Sequence, residues 1–380
     1  MARRGFVPHI GPSVRGPRRR PIIFGIGTGY FANTSPRGIM APKQLKGRIM
    51  NNLESLGVFQ DSDGTIKHVF NRDKKITEIT FLSNKASRDV VCVPTFHYCN
   101  LGCKICHLTN KGLNKNMMPV KAEDLAEGIR RSVVGFDGRR RSEKENLLIS
   151  YMGVGEPLLN IKLLGDIFQM RDYLRGSLKY KNIGYAVSTI MPEADSVDKL
   201  LDAAGPYGIP IKLHFSVHSP FDAERFDLLP KTKVGVAEGL EALEKYRRFA
   251  KGNPRIMENI GRIHSSANVD PVVVHYTLIK NRNDSPAHLA ELTRLLAVHK
   301  TPIMFIRFNP INGMEASENE AAWISELNRA GIKAKAYSPP GREIGSSCGE
   351  FTKHYYHEEI ETAEQRREFQ AWKQKHEIFR

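Results

Sequence analysis

Three cysteines fall within eight residues, Cys99-Asn100-Leu101-Gly102-Cys103-Lys104-Ile105-Cys106, in the spacing C-x3-C-x2-C. Thiolates this close in sequence can wrap one small inorganic core. They supply three ligands, where a closed tetrahedral zinc site or an ordinary [4Fe–4S] cluster takes four. A [4Fe–4S] cluster held by three cysteines keeps one iron open to an exogenous ligand. Two plainer readings stand beside it: a zinc knuckle completed by His97 or His107, and a chance grouping. The other two cysteines are Cys92, seven residues before Cys99, and Cys348, in Gly345-Ser346-Ser347-Cys348-Gly349-Glu350. A buried free cysteine usually serves as a small hydrophobe. Cys348 lies between Ser and Gly in a polar loop, a poor place for a packing residue, which makes it a candidate covalent nucleophile, with Cys92 as a second redox thiol.

Further polar residues recur where apolar runs end. Met152-Gly153-Val154-Gly155-Glu156-Pro157-Leu158-Leu159-Asn160 combines glycines that let a backbone approach a ligand with a carboxylate that can accept from an ammonium group. Alone, this stretch is equally a tight turn with a solvated Glu156. Val187-Ser188-Thr189 offers hydroxyls. Ser216-Val217-His218-Ser219-Pro220 is followed by Asp222 and Arg225, and Phe308-Asn309-Pro310 offers an amide able to read a base or ribose edge. Each of these, taken singly, is more simply a strand-end cap or a satisfied polar residue. Their shared position is what favours a site.

That position follows from the pattern of elements. Apolar runs suited to strands occur at Val90–Pro94, Leu147–Met152, Ile183–Thr189, Ile211–Val217, Val272–Leu278, Ile303–Phe308 and Ile332–Ala336. Helical periodicity separates most of them, at Ala122–Val133, Ile161–Leu174, Val236–Phe249, Pro286–Ala297 and Ser317–Ala330. Such alternation implies right-handed βαβ units and a parallel sheet. About six units predict an α/β fold of the open or partial barrel type, with its chemistry at the C-terminal strand ends. Upstream, Ile66–Asn71 and Ile76–Phe81 read as a hairpin around the turn Arg72-Asp73-Lys74-Lys75, and Lys43–Gly57 reads as a short helix. The expected organisation is a basic arm over 1–53, an accessory segment with the hairpin over 54–88, the barrel over 89–350, and a helical surface extension over 351–380.

The charge points to a partner. The 380 residues carry a formal net charge of +16, which fits a polyanion, most simply nucleic acid. Residues 1–53 hold ten Arg and Lys before the first carboxylate, Glu54. Rich in Gly and Pro, they suit a flexible arm along phosphates better than an organellar targeting helix. Five clustered cysteines suit a reducing compartment rather than a disulfide scaffold, and no apolar run is long enough for a spanning helix. A cytoplasmic protein is expected.

In these features the chain resembles the radical SAM adenosine methyltransferases of ribosomal and transfer RNA, the RlmN/Cfr family. The resemblance rests on Cys92 through Cys106, Met152–Asn160, Val187–Thr189, Ser216–Pro220, Phe308–Pro310 and Cys348-Gly349, with Asp63-Gly64-Thr65-Ile66-Lys67 and Ile76-Thr77-Glu78 upstream. It implies a partial (β/α)6 radical SAM barrel with a [4Fe–4S] cluster on Cys99, Cys103 and Cys106. It also implies two molecules of S-adenosylmethionine per turnover. One methylates Cys348. The second binds the open iron and is cleaved to a radical that takes hydrogen from that methyl group, and the resulting carbon adds to an adenine ring carbon, C2 or C8. Cys92 then releases the product by forming a disulfide with Cys348. Gly155, Glu156, Ser188, Ser216, Val217, His218 and Asn309 would bind the cofactor, and Glu78 would accept a proton. The implied partners are rRNA or tRNA and a low-potential electron donor of flavodoxin or ferredoxin type, acting on a monomer away from membranes. The chain departs from the family pattern at His107-Leu108-Thr109-Asn110, at Gly341-Arg342-Glu343-Ile344-Gly345 and in a long stretch from Pro254 to Asp270, as a divergent branch would. The alternatives are a radical enzyme acting on a peptide or small molecule, and a non-catalytic RNA-binding protein with a structural metal.

Overall fold

The structure, a computed structural model, describes residues 53–83, 85–110, 116–135, 144–266, 268–345 and 363–379. The chain divides into units Met1–Ile39 and Met40–Arg380, and every described residue belongs to the second. The basic arm up to residue 52, most of the expected helix at Lys43–Gly57, and Cys348 lie outside the described residues.

Three antiparallel strands come first: β1 (Glu54–Gln60), β2 (Ile66–Arg72) and β3 (Lys75–Leu82). β4 (Asp89–Cys92) pairs antiparallel with β3 and parallel with β5 (Asn146–Tyr151). β6 (Asn182–Thr189), β7 (Ile211–Ser216), β8 (Val272–Tyr276), β9 (Ile303–Ile306) and β10 (Ala334–Tyr337) then add in turn, all parallel. A final β11 (Glu377–Phe379) returns to pair antiparallel with β1. Among the described residues these form one open sheet, in the order β10-β9-β8-β7-β6-β5-β4-β3-β2-β1-β11. Each of the seven apolar runs is one of its parallel strands. The crossovers carry α1 (Ala122–Val134), α2 (Ile161–Gln169), α3 (Arg171–Leu178), α4 (Ser196–Ala204), α5 (Asp222–Leu228), α6 (Val236–Lys251), α7 (Pro254–His264), α8 (Pro286–Ala297) and α9 (Glu320–Arg329), and α10 (Ala363–His376) precedes β11. The fold is an α/β partial barrel. Among the described residues no helix is long and apolar enough to cross a membrane.

Side chains alternate across a strand. Val91, Ile149, Tyr185, Leu213, Val274 and Phe305 are therefore fully buried under the helices in one continuous core. Cys92, Ser150, Ser188, Ser216 and His275 fall on the other face, in successive rungs from β4 to β8. Parallel strands covered on both sides read as near-continuous apolar runs. The polar alternate positions mark this second face as the lining of a site.

Three expectations need correction. Residues 54–57 are strand, not helix, because pairing of β1 with β2 fixes its backbone in the ladder. The four-residue hairpin turn is a two-residue loop: Arg72 pairs with Lys75, and Asp73 and Lys74 both adopt positive φ, the geometry that matches strand twist. The run Ile161–Leu174 is broken at Met170, whose ψ of 0° leaves helical geometry and separates α2 from α3. In addition, the C-terminal extension does not end as a helix. After α10 it adds β11 to the sheet, and Trp372 stacks on Phe59 of β1 at 5.3 Å. The long stretch before β8 is helix α7, whose Ile263 packs on Leu148 and Ala186 at the uncovered face.

The first residue of β4 anchors the strand that carries the cysteine loop. Asp89 is fully buried, its Oδ1 accepting from Lys144 Nζ at 2.9 Å and its Oδ2 from Tyr180 Oη at 2.6 Å. Removing one partner of a buried ion pair leaves a charge without compensation. Asp89→Ala should therefore cost about 3–5 kcal/mol, read as a lowered urea midpoint with an unchanged denaturant slope.

Candidate active site

The cysteine loop leaves the C-terminal end of β4 and is tied down at both sides. Thr95 and Phe96 donate their N–H groups to Val154 O at 2.9 and 3.2 Å, and Asn160 Nδ2 reaches Thr95 O at 2.8 Å while Asn160 Oδ1 caps α2. Further on, Lys104 N bonds Leu228 O at 2.9 Å, and the Lys104 ammonium pairs with Asp227. Cys103 and Ile105 pack on Leu228 and Leu229 at the end of α5, and on Ile279 and Phe308 from the loops after β8 and β9. Cys99 and Cys106 pack on Leu108 and Val154. Burial pushes the Cys99 thiol up to about 12, with the charges of Cys106 and Glu156 adding to it, and Cys103 moves in the same direction for the same reasons. The thiols are thus near enough to oppose one another's ionisation.

A donor set of this kind needs a cationic core to hold it as thiolates. Among the described residues no three Cys, His, Asp or Glu gather tightly round one point. His97, one candidate to complete a zinc knuckle, is turned instead to β3, where its Nδ1 meets Ile76 O at 3.0 Å and Thr77 Oγ1 at 3.2 Å. The residues present fit a cluster.

Gly155 has φ +98°, and a Cβ there would lie 2.5 Å from the Phe96 ring, so only glycine lets the β5 loop pack on the cysteine loop. Next to it Glu156 is buried, accepting from Leu158 N and Ile190 N at 3.0 Å each. It joins the loop after β5 to the end of β6. Arg225, fully buried, joins β6 to β7: its guanidinium donates to the carbonyls of Ser216, Val217 and Ile190 at 2.6–2.7 Å and lies over the Phe215 ring. Burial lowers its pKa to about 10, and the charges of Asp222, Cys103 and Glu156 act against that shift. One buried cation therefore faces both the thiols and the carboxylate.

Ser188 and Ser216 sit side by side, their hydroxyls 3.4 Å apart. The Ser188 hydroxyl also lies 3.4 Å from His275 Nδ1, and His275 Nε2 meets His214 Nδ1 at 2.7 Å. Burial holds both imidazoles neutral, with the His275 pKa pushed down to about 3. His218 is also kept neutral by burial. It has a positive φ, accepts Thr277 N at Nδ1 and gives its carbonyl to Asn283. Val217 points into the helix-side core and has both N–H and C=O engaged. Asn309 is half-buried three residues past β9. The serine–histidine chain was not foreseen, although His275 interrupts the apolar run Val272-Val273-Val274 and could have been flagged.

Cys92 lies below the loop in a rung that runs Lys67, Thr80, Cys92, Ser150, Ala186, Lys212 across six strands. It is half-buried, and desolvation pushes its thiol up to about 11, an effect the Lys67 ammonium opposes. Lys67 and Glu78 form a buried ion pair of 2.5 Å, and Lys67 Nζ also reaches Gly345 O at 3.3 Å. The turn after β1 holds the segment ending at Gly345. Asp63 accepts Gly341 N at 2.8 Å and Asp61 accepts Glu343 N at 2.7 Å. His214 and His275 are the site-lining residues that the sequence reading did not single out; Arg225 and Lys67 it named only as members of longer motifs.

The buried Glu156 carboxyl is pushed up to about 7 from an ordinary 4.5, chiefly by burial and against the bonds it accepts from Thr189, Ile190 and Leu158. Its folded pKa is the higher one, so its contribution to stability is complete below pH 4.5 and is lost as pH rises through 7. The protein without cofactor should lose on the order of 3 kcal/mol across this window. The Glu156→Gln variant should lack that component, read from urea midpoints at pH 5 and pH 8.

No protein-family model matches the chain. It is similar to the dual-specificity RNA methyltransferase RlmN of Buchnera aphidicola, 26% identical over 296 residues, covering 76% of this chain and 74% of that protein. It is also similar to the probable dual-specificity RNA methyltransferase RlmN of Gloeobacter violaceus, 28% identical over 309 residues and 80% and 79% of the two chains. In fold it is like a radical SAM methyltransferase from Sphaerobacter thermophilus, with a TM-score of 0.63 at 23% identity, over 82% of this chain and 86% of that one. The C-x3-C-x2-C loop thus stands at the mouth of a partial barrel, in a chain that is similar to RlmN-named RNA methyltransferases along about three quarters of its length.

Proposed function

We propose that the protein methylates an adenine ring carbon, C2 or C8, in ribosomal or transfer RNA. The observation that carries this reading is a second thiol apart from the cysteine loop. Cys92 faces the site from the strand that feeds the loop, beside the Lys67–Glu78 pair. A cluster loop alone suits any radical chemistry, whereas a separate thiol suits covalent handling of the product. The names of the relatives support RNA as substrate, and the net charge of +16 agrees.

In this reading Cys99, Cys103 and Cys106 hold a [4Fe–4S] cluster. Bound there with S-adenosylmethionine, it supplies the one-electron chemistry that side chains lack. Arg225 keeps the ends of β6 and β7 in place and offsets negative charge at the cluster. Glu156, whose protonation burial favours, becomes a carboxylate when a methionyl ammonium approaches, and Gly155 lets the backbone come close. Ser188 and Ser216, braced by His275, offer hydroxyls, His218 and Val217 shape the wall, and Asn309 offers an amide. Cys348 carries the methyl group, as the family resemblance implies, and Cys92 closes a disulfide with it on release. Glu78 accepts the proton lost from the ring carbon, with Lys67 steadying the carboxylate. Two cofactor molecules are consumed per turnover, and a flavodoxin- or ferredoxin-type protein supplies the electron.

The test is anaerobic reconstitution with iron and sulfide, then addition of dithionite, methyl-labelled S-adenosylmethionine and total RNA. Labelled methyladenosine should appear in the RNA digest, and Cys99→Ala should lose both cluster absorbance and product. Cys92→Ala should trap a protein–RNA crosslink. Label on neither protein nor RNA would refute the assignment, and clean turnover by Cys92→Ala would refute that residue's part in it.

A further inference from the structure

A second cavity lies at the opposite ends of the strands from the cysteines. It has a volume of about 240 Å³ and lies between α3, the start of β6 and helix α7, with Asn182 and Pro210 in its wall. Asn182 opens β6 and Ser188 nearly closes it, so this cavity and the candidate active site are about 20 Å apart along one strand. Five cationic side chains line it: Arg171, Arg175, Lys181, Arg255 and Arg262.

Helix α7 supplies part of this lining for a definable reason. Its apolar residues Ile256, Ile260 and Ile263 are buried against the sheet. Arg255, Glu258, Asn259 and Arg262, three or four residues apart, share the opposite face and line the cavity. Carboxylates offset part of the charge: Asp172 stands 3.2 Å from Arg175, Glu258 is 2.5 Å from Arg262, and Glu145 pairs with Lys181. Five cations thus meet three anions. Arg255 has no ion-pair partner among the described residues. These three pairs are exposed, so a stronger anion can displace the carboxylates at little cost.

Resting on the reading of RNA as substrate, we propose that this cavity is an anchoring site for a backbone phosphate of the bound RNA, remote from the modified base and created by α7. Guanidinium groups converging from two helices suit phosphate oxygens in paired geometry. A single anchor of this type adds affinity and orientation without reading sequence. An RNA must then reach around the edge of the barrel to touch both ends of the strands, so a substrate is selected by its shape as well as by its adenosine.

The experiment compares the wild-type protein, Arg255→Ala/Arg262→Ala, and the control Arg294→Ala/Arg329→Ala, which removes the same charge from exposed positions on α8 and α9. Binding to fluorescently labelled tRNA is followed by anisotropy from low to moderate salt, with thermal melts to verify folding. The cavity variant should bind about tenfold more weakly, and its salt slope should fall by about one relative to wild type. The control should change neither appreciably. Unchanged binding by the cavity variant, or an equal loss in the control, would overturn the anchor. So would inorganic phosphate binding that the cavity variant abolishes while its tRNA affinity stays at the wild-type level, since the cavity would then serve a small anion. Failure of the wild-type protein to bind tRNA or rRNA fragments at all would instead overturn the RNA reading itself.

Discussion

The register of β4 between β3 and β5 is the constraint on which the site depends. Cys92 sits opposite Thr80 on one side and Ser150 on the other. A slip of one residue would turn Cys92 into the helix layer and bring Val91, now fully buried, into the site. The register is held below by the Asp89–Lys144–Tyr180 contacts and above by the bonds from Thr95 and Phe96 to Val154. The same strand orders both halves of the chemistry. Its last residue is one thiol, and the loop that follows carries three more.

Much of this was legible in the sequence because the signals are local. Seven apolar runs gave seven strands, and Pro286–Ala297 coincides with α8 because Ser285 caps it and Pro286 starts it. The cysteine spacing and the glycines before Glu156 also point at the site without any tertiary information. What could not be read depends on partners distant in sequence. Residues 54–57 look helical in isolation, yet β2 draws them into a ladder. Nothing near Lys67 announces that its ammonium meets Glu78 and the carbonyl of Gly345. Likewise the imidazoles of His214 and His275 meet across neighbouring strands that 61 residues separate.

Electrostatically the site is a balance among buried groups of both signs. Burial opposes ionisation of the thiols and of Glu156, and it keeps His214, His218 and His275 neutral. Arg225 is the cation set among them, and its hydrogen-bonding capacity is spent on backbone carbonyls rather than on a carboxylate partner. Its charge is therefore available to whatever negative charge gathers at the cysteine loop. A rigid guanidinium of this kind fixes the field in the site before any ligand arrives.

The clamp made by Asp61 and Asp63 also acts on the open side of the barrel. Both carboxylates grip backbone N–H groups between Gly341 and Ile344, and Lys67 holds Gly345. In the sheet order β10 and β1 stand far apart, with eight strands between them. The segment after β10 is nevertheless fastened to the turn after β1 and to Lys67 of β2, so backbone contacts bridge the open side of the barrel where no strand ladder closes it.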